Sequence, residues 1–460
     1  MVKKSQKKAV KHQPNTTLPQ ECKAQCLQYM KQAMSFHRSG EIDHALAFYD
    51  QAIAVDPAYT AAHFNKGIAL RQLGRYDEEL DAFNQTIAIN PSYAEAHFHR
   101  GFALQELNRY DEALAAWDQA LALNPAHVAS YFNKGIALQK LRRYGEALTT
   151  FDQLLAINPA YADAHFNRGF VLQELGSYDE ALTAFNQALD INPDYAEAHY
   201  NRGIVQQKLQ RYDEALSSYN RAISINPDFA LSHWNKSLLL LLTGEYEEGW
   251  RLYEWRHKVT KPVAGPFAKP LWLGNAEVVG KTILLYQEQG YGDTIQMLRY
   301  LPLLANLYTR VILSVPGSLL PLAGKLAGVA NVFSNEEPLP EFDLHCPFMS
   351  LPLAFKTTLE NIPADVPYLK APENKVDWWQ SRLGGKTRPR IGLVWSGVSG
   401  YGNDRNRSIS LEDILPLLDR NAEFHSLQIE YRDTDQHLLT LHKDRLRDHS
   451  KEIVDFGDTA

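Results

Sequence analysis

Through the first half of the chain the apolar positions fall three and four apart, the spacing of one helix face, and the pattern returns on a fixed beat. Asp56-Pro57, Asn90-Pro91, Asn124-Pro125, Asn158-Pro159, Asn192-Pro193 and Asn226-Pro227 recur every 34 residues. Each unit carries two helical stretches, as in "AEAHFHRGFALQELNRYDEALAAWDQALALNP". Gly67, Gly101, Gly135, Gly169 and Gly203 mark a close helix–helix approach where a side chain would clash. Ala45, Ala113, Ala147, Ala181 and Ala215 do the same on the second helix. Tyr49, Phe83, Trp117, Phe151, Phe185, Tyr219 and Tyr253 plug the core between them. Proline, which lacks an amide hydrogen, closes each second helix. The period predicts an α-solenoid of six regular units from about Cys26 to Phe229, with a degenerate seventh to about Pro262.

The pattern changes after "VTKPVAGPFAKP" (Val259 to Pro270), a proline-rich hinge. Short apolar runs follow at Thr282–Tyr286, Val311–Val315, Asn331–Ser334 and Phe342–Cys346, with helical stretches between at least the first three. Alternating strand and helix predicts a parallel sheet with covered faces. A second linker, "DWWQSRLGGKTRP", leads to a new strand in "RIGLVWSG", the loop "YGNDRNR" and a helix capped by Ser410. "EFHSLQIE" reads as the next strand and "EIVDFG" as a third. The expected organisation is a basic tail over residues 1–21, a solenoid over 22–262, a Rossmann-like lobe with its linker over 263–386, and a partial second lobe over 387–460.

The 34-residue units resemble the tetratricopeptide repeat (TPR) family. That resemblance implies a superhelix whose first helices line the concave side. The fifth position of these helices then carries Phe64, Phe98, Phe132, Phe166, Tyr200 and Trp234, and the next carries Asn65, His99, Asn133, Asn167, Asn201 and Asn235. An asparagine column suits an extended peptide, because each amide offers one acceptor and two donors to a backbone of any sequence. Packing within the repeat is the competing reading of the same column. A peptide groove is expected at Asn65, Phe132, Asn133, Phe166, Asn167, Asn201 and Asn235. His63, His97, His165, His199 and His233 also keep the beat; lying a full repeat apart, they cannot converge on a metal and read as repeat-core residues. In the seventh unit the groove positions become Leu241 and Leu242, which suggests docking against the next domain.

Composition narrows the classes. Lys and Arg number 47 against 54 Asp and Glu, a net charge of -7, which disfavours general nucleic-acid binding. The tail "MVKKSQKKAVKHQP" clusters five lysines but has no apolar stretch to make it a signal peptide. Three cysteines are too few for a disulfide framework and read as reduced thiols, hence a cytoplasmic expectation. The run Leu238 to Leu242 is too short to span a bilayer. "VVGKT" and "GGKT" lack the earlier P-loop glycine and precede strands, and Ile295 occupies the third glycine position of a dinucleotide fingerprint. No metal or resident cofactor is implied.

"LLYQEQGYGDTIQ" (Leu284 to Gln296) runs from a strand through a glycine turn into a helix. In doubly wound sheets ligands bind beyond the carboxyl ends of the strands. Gly290 and Gly292 end the first strand of one lobe, and Gly397, Gly400 and Gly402 follow the first strand of the next. Asp293 on one side with Arg405 and Arg407 on the other would supply a base for an acceptor and cations for a leaving phosphate. "EQGYGDTIQMLRYLPLL", "SLP", "IGLVWSG" and "NDRNRSISLEDILPLL" together resemble TPR-linked glycosyltransferases of the two-lobed GT-B fold, related to O-linked N-acetylglucosamine transferases and heptosyltransferases. The resemblance implies Asp293 as general base. It implies donor-phosphate contacts at Gly290, Gly292, Arg405, Arg407 and Ser408, and a nucleotide sugar as donor substrate. A helix cap for Asp293 and a solvated loop for the arginines are the alternatives.

Members of that family continue beyond the equivalent of "VDFGDTA" with further donor-side strands and helices. The second lobe is therefore expected to be partial, with an exposed sheet edge. Two functions follow: a TPR-guided glycosyltransferase acting on a protein acceptor, or a non-catalytic TPR scaffold carrying a relic lobe.

Overall fold

A computed structural model of the protein describes residues 18–260, 267–274, 278–307, 310–324, 326, 328–397 and 404–460, with Arg405 in backbone only. Most of the basic tail, the middle of the proline-rich hinge, Gly400 and Gly402 lie outside these residues. The chain forms two compact units, which divide at Asn235/Lys236.

The first unit is a run of antiparallel helix pairs. Its first helices are Thr60–Gln72, Ala94–Glu106, Val128–Lys140, Ala162–Glu174 and Ala196–Lys208, preceded by the longer Gln20–Ser39. The second helices are Ile42–Val55, Tyr76–Ile89, Tyr110–Leu123, Tyr144–Ile157, Tyr178–Ile191 and Tyr212–Ile225. The glycine column is required by sterics. A Cβ on Gly101 would lie 2.5 Å from the Trp117 indole, and one on Gly135 would lie 2.5 Å from the Phe151 ring. Both aromatic rings are fully buried.

The inter-repeat turn is fixed twice. The Asn or Asp before proline accepts the amide hydrogen two residues on, as in Asn124 with Ala126 (3.2 Å) and Asp56 with Ala58 (3.1 Å). This is an Asx turn, which short polar side chains make readily. The histidine column completes the turn. Nε2 of His97, His165, His199 and His233 lies 2.9–3.0 Å from the carbonyl oxygen of Pro91, Pro159, Pro193 and Pro227. The histidines are thus turn fasteners.

The helix Ala230–Thr243 crosses the division, and the second unit begins within it. β1 (Thr282–Tyr286), β2 (Arg310–Val315), β3 (Val329–Ser334) and β4 (Leu344–Pro347) make one parallel sheet in the order β3-β2-β1-β4. β1 is central and apolar on both faces, with Ile283, Leu284 and Leu285 fully buried, as a covered parallel strand should be. β5 (Arg390–Leu393), β6 (Glu423–Ser426) and β7 (Leu446–Asp448) form a second parallel sheet, β5-β6-β7. β5 is an edge, with Ile391 exposed on it and Val394 exposed just after it.

Two expectations are corrected here. "EIVDFG" is not a strand: Asp455 caps a helical turn over Phe456–Thr459, and β7 lies earlier, in the shorter and more polar "LRD". The contact expected of Leu241 and Leu242 is made by another part of the seventh unit. Leu241 packs over Gly249 in its own hairpin, and Leu242 stays 63% exposed. The following helix Tyr246–Tyr253 meets the α/β part instead, against the helical turn Leu351–Ala354.

A buried ion cluster pins this junction. Arg256, 1% exposed, donates to Glu254 (2.6 Å), Glu288 (2.7 Å) and Ser350 Oγ (2.7 Å). The Ser350 hydroxyl in turn donates to Glu254 at 2.9 Å. Burial pushes Glu254 upward, but His257, Arg256 and Ser350 outweigh it and hold its carboxyl below the usual range.

Candidate functional site

The first helices Ala94–Glu106, Val128–Lys140, Ala162–Glu174 and Ala196–Lys208 each touch the next, so their outward faces form one continuous wall. The asparagine column lies on it. Each of Asn133, Asn167 and Asn201 donates one amide hydrogen to the carbonyl four residues back, at 2.8, 2.7 and 2.8 Å. That bond fixes the side chain along its own helix and leaves the carbonyl oxygen and the second amide hydrogen for other partners. All three are half-buried.

The ends of the column behave differently. Asn65 makes the same bond to Ala61 but is only 5% exposed. Asn235 donates to the Tyr200 hydroxyl at 2.7 Å and so ties two successive first helices together. Phe132 and Phe166 serve packing as much as display. Phe132 lies 5.3 Å from the ring of Tyr161, and Phe166 lies 4.9 Å from that of Tyr195 in the next repeat.

Two adjacent repeats break the pattern in three places that meet across their boundary. Glu79 stands where the other second helices have alanine, Arg71 where the next four first helices have glutamine, and His99 in the asparagine column. The three residues meet. The Arg71 guanidinium donates to fully buried Glu79 (Nε, 2.7 Å) and to His99 Nδ1 (2.8 Å), and lies 4.3 Å from the Phe102 ring centre. Burial pushes the Glu79 carboxyl up, and Arg71 opposes that.

Sequence reasoning missed a second column, three residues after the asparagines. Ile68, Phe102, Ile136, Phe170 and Ile204 are half-buried on the same first helices. Their shared 34-residue beat was the available signal.

In the second unit, the Gly290 turn follows the carboxyl end of β1. Asp293 accepts the Gly290 amide hydrogen at 3.0 Å, closing a cap on the short helix Tyr291–Met297. Gly290 and Gly292 are both exposed. Gln289, one residue earlier, donates to the Tyr253 hydroxyl at 2.9 Å, so the turn is braced from the last helical pair.

Among the described residues after β5, Asp404 ties Ser408 and Arg432 together. Ser408 donates to one of its oxygens and also accepts the Gly397 amide hydrogen at 3.0 Å, while Arg432 pairs with the other oxygen. Arg407 packs beside Gly397, where an added Cβ would lie 2.8 Å from its guanidinium. The Ser408 bond, ahead of Arg432 and Arg407, holds Asp404 below the usual carboxylate range. The Arg405 side chain lies outside the described residues.

A cavity of about 310 Å³ in this unit lies elsewhere, bordered by Trp379, Arg390, His425 and His449. His425 Nδ1 is 2.9 Å from His449 Nε2, and the two rings stack. Burial first, and then His449, drive the His425 pKa down to about 4.

Comparison with known proteins fits the helical unit. Models described as tetratricopeptide repeat match residues 30–94, 98–162, 150–183 and 196–229, and one described as TPR repeat matches 171–210. The solenoid is built of tetratricopeptide repeats. No curated protein matches the chain. Among solved structures, YrrB, described as a TPR protein with an unusual peptide-binding site, is 24% identical, covering 41% of this chain and 97% of its own at a TM-score of 0.38. A tetratricopeptide repeat protein from Parabacteroides merdae is 18% identical, covering 51% and 93% at 0.42. MamA from Desulfovibrio magneticus is 21% identical, covering 37% and 96% at 0.36.

Proposed function

We propose that the helical unit is a scaffold that holds an extended peptide or protein segment against its first helices. The observation behind this reading is the state of Asn133, Asn167 and Asn201. Each is oriented by one bond to its own helix and keeps an acceptor and a donor for a backbone of any sequence. Replacing all three by alanine is expected to weaken capture on an array of unstructured peptides at least about tenfold, since several hydrogen bonds vanish together. The melting temperature should barely move. A large drop in melting temperature with unchanged capture would assign the column to packing alone.

A second reading concerns the α/β unit: transfer of a sugar from a nucleotide donor to the captured segment. It is favoured by the Gly290–Asp293 turn beyond the carboxyl end of β1, and by the bonds joining Gly397, Asp404 and Ser408 in the chain that follows β5. Asp293 would act as base, with Gly290, Gly292, Arg405, Arg407 and Ser408 around the donor phosphates. Titration calorimetry of the full chain with UDP- and GDP-sugars tests it. Heat that disappears in Arg407→Ala supports a donor site, and no heat leaves a scaffold without sugar transfer.

A further inference from the structure

The repeats differ from one another on a double beat of 68 residues, visible at the two groove positions one helical turn apart. Phe102 is followed by Glu106 and Phe170 by Glu174; in the repeats between and after, Ile136 is followed by Lys140 and Ile204 by Lys208. Residues four apart share a helix face, so each apolar residue sits beneath its own charge. The apolar members are half-buried and the four charged ones exposed. Along the wall the charges therefore read acidic, basic, acidic, basic. Among the described residues no ion pair joins these four to one another; Glu174 accepts from the Tyr144 hydroxyl at 3.3 Å. At the far ends of the same helices the sign does not alternate: Glu95, Asp163 and Glu197 are all acidic. The alternation belongs to one rim only.

Adjacent packed helices lie about 8–10 Å apart, and an extended chain advances about 3.3 Å per residue. One repeat thus corresponds to about three residues of a peptide laid across the first helices. We infer that the groove selects an extended segment whose charges alternate in sign every third residue, a basic residue facing Glu106 and Glu174 and an acidic one facing Lys140 and Lys208. This rests on the peptide groove proposed above and adds a pattern to it. The asparagines hold any backbone, and the charged rim sets the register.

Three labelled peptides of equal length distinguish the possibilities, measured with the full chain by fluorescence anisotropy. One carries Lys-x-x-Glu-x-x-Lys-x-x-Glu, the second the same residues as Lys-x-x-Lys-x-x-Glu-x-x-Glu, and the third glutamine at all four places. The alternating peptide is expected to bind about tenfold more tightly than the blocked one, because two of four contacts reverse sign. High salt should shrink the gap. The double variant Lys140→Glu with Glu174→Lys makes the wall acidic, acidic, basic, basic, and should reverse the preference whichever way the peptide runs. Equal binding of all three peptides would overturn the charge pattern and leave the groove standing. No binding of any would overturn the groove as well.

Discussion

Gly135 and Gly145 lie in the same repeat, and the same substitution should have opposite signs at the two. A Cβ on Gly135 enters the Phe151 ring at 2.5 Å, and Phe151 is fully buried with nowhere to move. Overpacking costs about 1–3 kcal/mol, against a helix-propensity gain of at most about 1 kcal/mol. Gly135→Ala is therefore expected to lower stability by about 1–2 kcal/mol. Gly145 sits in the first turn of the helix Tyr144–Ile157 with open space where its Cβ would point. Gly145→Ala should be stabilising by about 0.5–1 kcal/mol. Urea melts of the two variants check both signs. This contact was legible in the sequence because small and aromatic residues kept one period. The Arg71–Glu79–His99 cluster was not, since each member reads alone as an irregular repeat, and only the fold brings the three together.

At the scale of elements, β1, β2 and β4 were readable because a covered parallel strand must be an apolar run. β7 was not: "LRD" is short and buries only Leu446, while "EIVDFG" looks more strand-like yet turns into a capped helix. The Asp293 cap illustrates the same limit, because aspartate near a helix start serves capping and catalysis with one sequence signature. The junction between the last helical pair and β1 was also hidden, since Arg256, Glu288 and Ser350 are far apart in the chain. Its energetics are testable. Arg256→Ala leaves Glu288, 7% exposed at its side chain, and Glu254 without their guanidinium. Removing one partner of a buried ion cluster costs about 3–5 kcal/mol. Arg256→Lys keeps the charge but cannot reproduce the fork, and should fall between. Amide exchange at Tyr253 and Gln289 would report the loosening directly; unchanged protection in Arg256→Ala would show that the apolar contacts suffice.

For the whole molecule, acid should act unequally on the two units. In the α/β unit, His425 has a folded pKa of about 4 against about 6.5 when unfolded, so between those values the unfolded chain binds the extra proton. Stability is then lost as pH falls. Burial also lowers His345, and Glu254 is held below the ordinary carboxylate range, so both act in the same direction. In the helical unit the signs are mixed. Burial lowers His37, His63 and His199, whereas burial raises Glu79, whose contribution strengthens as pH falls. Calorimetry at pH 7.5 and pH 5 should accordingly move the α/β transition further. His425 alone accounts for on the order of 2 kcal/mol over that range, or on the order of 5 °C for a unit of this size. Gly135→Ala identifies which transition belongs to the solenoid. His425→Asn, which cannot titrate, should flatten the pH dependence of the other while leaving the solenoid's melting where it was. Equal slopes in His425→Asn and the parent would place the acid sensitivity outside the histidine pair.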